Sequence, residues 1–215
     1  YDDCKNLPKR LLQALAAQGP LLGSSVQHAE TSADGTQKFL LRLADLETIE
    51  TVLIPRGDHN TLCISTQVGC PVGCIFCASG LDGVRRNLEI GEIVEQVLQA
   101  KRHSLEGRKL TNLVVMGIGE PLLNLDNLLP ALDRIHDPEG INMGARRITV
   151  STSGYPAQMD RLADTEYSFN LAVSLHSADE ELRKRLVPTA KASVKEILDA
   201  AHRYFTSTGR QITFE

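Results

Sequence analysis

Thr61-Leu62-Cys63-Ile64-Ser65-Thr66-Gln67-Val68-Gly69-Cys70-Pro71-Val72-Gly73-Cys74-Ile75-Phe76-Cys77 carries the reading on which the rest of the chain depends. The half from Thr61 to Val68 is rich in apolar and β-branched residues and reads as a strand. The half that follows spaces three cysteines as C-x3-C-x2-C directly after that strand, with no fourth cysteine behind them. Gly69 and Gly73 suit a tight loop at this point, because glycine adopts backbone angles closed to other residues. Phe76, next to the last cysteine, reads equally as a shield against water and as ordinary core packing.

The chain has five cysteines, an odd number, and four of them, Cys63, Cys70, Cys74 and Cys77, are too crowded for a framework of separate disulfides. Metal or redox chemistry in a reducing compartment suits them better. Three thiolates from Cys70, Cys74 and Cys77 would hold three irons of a [4Fe–4S] cluster and leave the fourth open. An open iron of that kind can chelate the amino and carboxylate groups of S-adenosyl-L-methionine. Two plainer readings stay open on spacing alone: a structural zinc site with Cys63 as fourth ligand, and a set of buried, unligated thiols.

Working outward, Thr61–Val68, Leu110–Met116, Arg147–Ser151, Asn170–His176 and Gln211–Phe214 read as strands. Helical patterns fall between them, at Glu92–Leu105, Leu125–Ile135 and Val194–Phe205. Strands alternating with helices imply an α/β fold with a parallel sheet, open or curled into a barrel. Upstream, Leu7, Leu11, Leu12 and Leu15 keep helical spacing until Gly19-Pro20, and Lys38–Leu43 and Ile49–Ile54 read as a β-hairpin. The expected division is a flank of helix and hairpin over 1–55 and a core over 56–215. With 215 residues, 42% of them hydrophobic and 23% charged, the chain has material for one sizeable core.

A net charge of −4 argues against binding nucleic acid by bulk electrostatics. No apolar window reaches the roughly 18 residues of a membrane span, and Tyr1-Asp2-Asp3-Cys4-Lys5 does not look like a secretion signal, so a cytoplasmic protein is expected. The chain opens without Met and stops at Gln211-Ile212-Thr213-Phe214-Glu215, just as a strand begins. A piece of a longer protein is therefore expected.

Taken together these motifs resemble the RlmN/Cfr radical-SAM RNA methyltransferases, which methylate an adenine base. The likeness runs through Asn6-Leu7-Pro8-Lys9, Ile49-Glu50-Thr51-Val52-Leu53-Ile54-Pro55, Thr61-Leu62-Cys63, the cysteine loop and Gly117-Ile118-Gly119-Glu120-Pro121-Leu122-Leu123-Asn124. It continues in Ser151-Thr152-Ser153-Gly154, Ser174-Leu175-His176 and Ile212-Thr213-Phe214-Glu215. The resemblance implies a partial (βα) radical-SAM barrel with a [4Fe–4S] cluster and S-adenosyl-L-methionine as cofactors. Gly117–Asn124 looks more like the branch that methylates carbon 2 than the carbon-8 branch. The implied substrates are an adenine in 23S rRNA and one in tRNA, with flavodoxin or ferredoxin as electron donor to a monomer.

The resemblance also assigns roles residue by residue. Gly119 and Glu120, at the exit of an expected strand, would meet the methionine part of S-adenosyl-L-methionine, with the carboxylate on its ammonium. Ser151, Ser174, Leu175 and His176 would complete that pocket, Ser174 and His176 sharing one face if the strand runs through them. Glu50 matches the proton acceptor on the adenine intermediate. Cys63 matches a second redox cysteine, which forms a transient disulfide with a methyl-carrying cysteine. That carrier is expected beyond Glu215, so these residues alone are not expected to complete turnover. Cys4 matches nothing. Arg85-Arg86, Arg146-Arg147 and Arg183-Lys184-Arg185 are candidate phosphate contacts, each otherwise a solvated face. A different radical-SAM activity would share the cluster loop and Glu120 but need neither Glu50 nor Cys63.

Overall fold

The computed structural model describes residues 7–17, 19–104, 109–166 and 168–215. Cys4, Asn6 and Leu105 lie outside them. Ten strands and six α-helices are described, and eight of the strands form one sheet.

The helix α1 (Lys9–Ala17) precedes three antiparallel strands, β1 (Ser25–Thr31), β2 (Gln37–Arg42) and β3 (Thr48–Arg56). The β2–β3 pair is the expected hairpin. Its turn closes through Leu43 N–H to Glu47 O at 2.8 Å, with Leu46 at φ 72°. The strand β1 escaped the sequence reading because nearly all of its residues are exposed, so it lacks the alternation that marks a half-buried strand. β3 continues antiparallel onto β4 (His59–Cys63), and from there the sheet becomes parallel. Its remaining strands are β7 (Asn112–Val115), β8 (Ile148–Thr152), β9 (Asn170–Val173) and β10 (Ile212–Phe214), in the order β1-β2-β3-β4-β7-β8-β9-β10.

The single strand expected over Thr61–Val68 is two. β4 ends at Cys63, and the chain leaves the sheet before pairing β5 (Gln67–Gly69) with β6 (Val84–Asn87) in a separate ribbon. The break is built by α2 (Ile90–Ser104), whose Gln96 is fully buried. Gln96 Oε1 accepts from Ser65 N–H and from Thr51 Oγ1, each at 2.8 Å, and Gln96 Nε2 donates to Ser65 O at 2.8 Å. A side-chain amide thus takes both backbone groups that a neighbouring strand would have taken.

The helices cover the parallel strands. α3 (Leu125–His136) buries Leu128, Leu132 and Ile135, α4 (Pro156–Ala163) buries Met159 and Leu162, and α6 (Val194–Thr208) buries Ile197, Ala201 and Tyr204. They pack with Leu62, Leu113, Val150 and Leu171 of the strands in one core. α6 begins at a Ser193–Glu196 capping box and ends at Gly209 in the left-handed conformation, the two local signals that fix a helix's length. α5 (Glu180–Leu186), short and mostly polar, is capped by Asp179, which accepts from Leu182 N–H. Among the described residues no helix is long and apolar enough to cross a membrane.

Gln96→Leu should destabilise the fold by about 3 kcal/mol, because it leaves the Ser65 peptide and the Thr51 hydroxyl buried without partners. Gln13→Leu on the exposed face of α1 should change stability by less than about 0.5 kcal/mol. Urea unfolding of the two variants measures the difference, and equal midpoints would show that Gln96 does not hold the break.

Candidate functional site

Parallel strands end on one edge of a sheet, and the segments leaving that edge share a crevice. Here Met116–Glu120 follow β7, Ser153 follows β8, Ser174–His176 follow β9 and Glu215 follows β10, all meeting the cysteine loop around a cavity of about 280 Å³. The far wall is latched by His176 N–H to Glu215 O at 2.8 Å and by Glu215 N–H to Val173 O at 2.9 Å.

Glu120 is the buried charge of this site, with 3% of its surface exposed. Its Oε2 accepts from Ser153 N–H at 2.8 Å and Ser153 Oγ at 2.9 Å, and its Oε1 accepts from Leu122 N–H at 3.1 Å. Burial raises its pKa, and these donors work against the rise. Gly119 before it sits at φ 110°, and a Cβ there would fall 2.7 Å from Gln67 Cβ. The glycine therefore lets the loop lie against β5 and turn Glu120 inward.

The loop of Cys70, Cys74 and Cys77 starts from the β5–β6 ribbon, with Cys70 N–H donating to Gly83 O at 3.0 Å. Gly69, at φ 75°, allows this approach, since a Cβ would lie 2.0 Å from the same oxygen. From the other side, Ile75 N–H donates to Leu186 O at 3.0 Å, and Thr189 Oγ1 donates to Val72 O. All three cysteines line the cavity as free thiols. Burial holds the Cys70 thiol above its ordinary pKa and lifts Cys74 to about 11, with the neighbouring Cys70 and Cys77 adding to the rise at Cys74. Burial thus favours the protonated thiols of Cys70 and Cys74, and metal ligation must release their protons.

Of the residues singled out in the sequence, Gly119, Glu120, Ser151, Ser174 and His176 join the three cysteines on this cavity. Ser151 Oγ and Ser174 Oγ lie 3.3 Å apart. β9 stops at Val173, so Ser174 and His176 reach the cavity from a turn in which His176 has φ 62°, and strand alternation is not what places them. Leu175 packs against the core. Phe76 is 55% exposed and meets the His176 ring edge-on at 4.6 Å between centroids, so it is not core packing.

Glu50 and Cys63 are not among the residues lining this cavity. Glu50 stands on β3, half-exposed, with Lys38 Nζ 3.3 Å from Oε1. Cys63 ends β4 in register with Val52 and Val114, and burial raises its pKa while the Met116 backbone N–H opposes the rise. No disulfide is supported here: the four described cysteines are free, Cys63 stands on β4, and the partner expected for it is not among these residues. Among the described residues, no group of three His, Cys, Asp or Glu is gathered tightly enough for a single metal ion.

The basic pairs fare unevenly. Arg85 is bound to Glu47 at 2.7 Å, and Arg86 to Asp45 and Glu92, each at 2.7 Å. Arg183 is buried, whereas Arg146, Arg147 and Arg185 are exposed. Sequence reasoning missed Ser153, although it lies in the quoted Ser151-Thr152-Ser153. It also missed Tyr155, whose pKa is pushed up to about 12 by burial and then by Glu120 and Cys70. No spacing rule marks either residue: Ser153 lines the cavity from the turn after β8, and Tyr155, packed against the core, lies within the field of Glu120 and Cys70.

The chain is 44% identical over its whole length to a probable dual-specificity RNA methyltransferase RlmN of Rhodopirellula baltica, covering 58% of that protein. It is 45% identical to one of the same name from Staphylococcus saprophyticus, covering 59%. It thus spans somewhat under two thirds of the length of these curated relatives. The crystal structure of a radical SAM methyltransferase from Sphaerobacter thermophilus, 46% identical, superposes with a TM-score of 0.94 over all of this chain and 64% of that one. The model of the Radical SAM superfamily matches residues 64–214, from the break after β4 through the cysteine loop to β10, and this chain belongs to that superfamily.

Proposed function

We propose that the whole protein is a methyltransferase that places a methyl group on carbon 2 of an adenine in 23S rRNA and in tRNA, using a methyl-carrying cysteine outside these 215 residues. One observation supports the reading above all others: Cys70, Cys74, Cys77 and the buried Glu120 share one cavity at the C-terminal edge of the parallel strands. The relatives named RNA methyltransferase, at 44% and 45% identity, support the choice of substrate class.

The cofactors of the superfamily are a [4Fe–4S] cluster and S-adenosyl-L-methionine, and the donors on this cavity suit both. A cluster is bulkier than an ion, so its three thiolates stand apart around a shared space. A buried carboxylate suits an ammonium, whose positive charge offsets the cost of its burial. Once bound, the pair supplies reductive cleavage of a sulfonium by one electron, chemistry that no side chain here provides.

The residues of the chain do the holding. Cys70, Cys74 and Cys77 give three thiolates and lose their protons on ligation. Glu120 takes the ammonium, and because burial has raised its pKa, ionisation and ammonium binding favour each other. Ser151 and Ser174 offer hydroxyls from adjacent strand ends, while His176, braced by Phe76, closes the far side. The radical route itself follows from the substrate: carbon 2 of adenine is an electrophilic amidine carbon, with no lone pair to displace a methyl group.

Glu50 is assigned as proton acceptor and Cys63 as a thiol acting late. Neither lines the cavity, and the link on which the assignment draws is Ser65, whose hydroxyl donates to Glu50 O at 2.6 Å and accepts from Ile118 N–H at 2.9 Å. Arg146, Arg147 and Arg185 are left as the phosphate contacts of a cytoplasmic, monomeric enzyme served by flavodoxin or ferredoxin. Residues 1–55 are kept as a flank of the catalytic core.

Anaerobic reconstitution should give a brown protein with about four irons. Cys74→Ala should lose them and Cys4→Ala should keep them. One zinc and no acid-labile sulfide would overturn the reading. With the cluster in place, Glu120→Ala should weaken binding of S-adenosyl-L-methionine by about 1–3 kcal/mol, the scale of a lost charge-assisted hydrogen bond. Calorimetric titration measures it, and unchanged affinity would remove Glu120 from the ammonium.

A further inference from the structure

Arg183 reads in sequence as part of a solvated basic run, yet only 1% of it is exposed. Among the described residues it has no ion pair within 4 Å, and its Nε–H is buried without an acceptor. Among the described residues, its one side-chain hydrogen bond runs from Nη2 to Ser153 O. A buried guanidinium without a carboxylate partner is costly, and the cost is offset only if an anion nearby is part of the working state.

The surroundings indicate which anion. Ser153, which holds Arg183 through its carbonyl, holds Glu120 through its N–H and hydroxyl. α5, which carries Arg183, leads into Leu186 and Thr189, the two residues bonded to the cysteine loop at Ile75 and Val72. Arg183 therefore stands between the cysteine loop and the buried carboxylate. Burial lowers its pKa first of all, and Glu180, Cys74 and Tyr155 pull the other way, so Cys74 is within reach of its field. His176 feels it too, its pKa lowered by burial and then by Arg183.

We propose that Arg183 is a positioning residue of the cluster site, whose fixed positive charge behind Cys74 makes one-electron reduction of the bound cluster easier. The inference rests on the reading that Cys70, Cys74 and Cys77 hold a [4Fe–4S] cluster. Reduction adds one electron, and so one negative charge, to the cluster and its thiolates. A fixed cation favours the more negative state. A unit charge roughly 10 Å from a redox centre, at an effective dielectric of about 20, favours the reduced form by about tenfold. For a one-electron couple tenfold is about 59 mV.

The test is a redox titration of the anaerobically reconstituted chain with dithionite and mediators, the reduced cluster being read by electron paramagnetic resonance. Arg183→Gln should keep about four irons and move the midpoint negative by about 59 mV. Glu180→Gln should move it the other way, because it removes a negative charge whose field reaches Arg183 without pairing with it, while its amide oxygen still accepts from Val194 N–H, as Glu180 Oε1 does at 2.6 Å. A four-iron Arg183→Gln protein with the wild-type midpoint overturns the proposal. Where Arg183→Gln takes up no cluster, Glu180→Gln decides: a positive shift supports the proposal and an unmoved midpoint overturns it. A wild-type chain that binds no iron sinks the cluster reading, a result distinct from either.

Discussion

The bond pair between the Gln96 amide and the Ser65 peptide is the constraint on which the site depends. Ser65 would otherwise continue β4 along the sheet. Because Gln96 takes both its N–H and its O, the chain turns off the sheet, Thr66 and Gln67 fall beneath the loop after β7, and Gln67 Oε1 is placed to accept from Glu120 N–H at 2.8 Å. The Ser65 hydroxyl links Glu50 O to Ile118 N–H on the way. One buried amide on α2 thus sets the height of the cysteine loop and of the carboxylate it faces.

The second organising fact is a polar centre placed where water is scarce. Glu120 and Arg183 are both buried, and neither has the other as a direct partner; the Ser153 residue between them bonds to each. In an ordinary core such groups would be replaced by apolar ones at little loss or some gain. Their retention beside three thiols whose protons must leave on ligation is the electrostatic pattern of a site completed by a charged group. Phe76 and His176 cover the cavity from the outside, where the chain from β9 turns through a left-handed residue instead of extending the strand.

How much of this was legible follows from the range of each signal. The cysteine loop, the helices α2, α3 and α6 and the parallel strands are written in local spacing, and the residues at the strand exits, Glu120 and Ser151 among them, follow once strands are placed. The break between β4 and β5 was not legible, because Thr61–Val68 is an uninterrupted β-prone stretch and its interruption is imposed by an amide 31 residues away in sequence. β1 and α5 were missed because an exposed strand and a short polar helix carry no hydrophobic period.

The sequence by itself determined which chemistry is possible here: three cysteines spaced for a cluster, a carboxylate after a strand, an α/β alternation, and a family likeness spread along the chain. Only the tertiary structure decided which charges work inside and which outside. Arg85 and Arg86, a basic pair on paper, are tied to Glu47, Asp45 and Glu92, while Arg183, the start of a basic run, is buried against Ser153. Charge is a property of the residue, but burial and pairing are properties of what folds against it. Those neighbours come from distant parts of the chain, which no local pattern encodes.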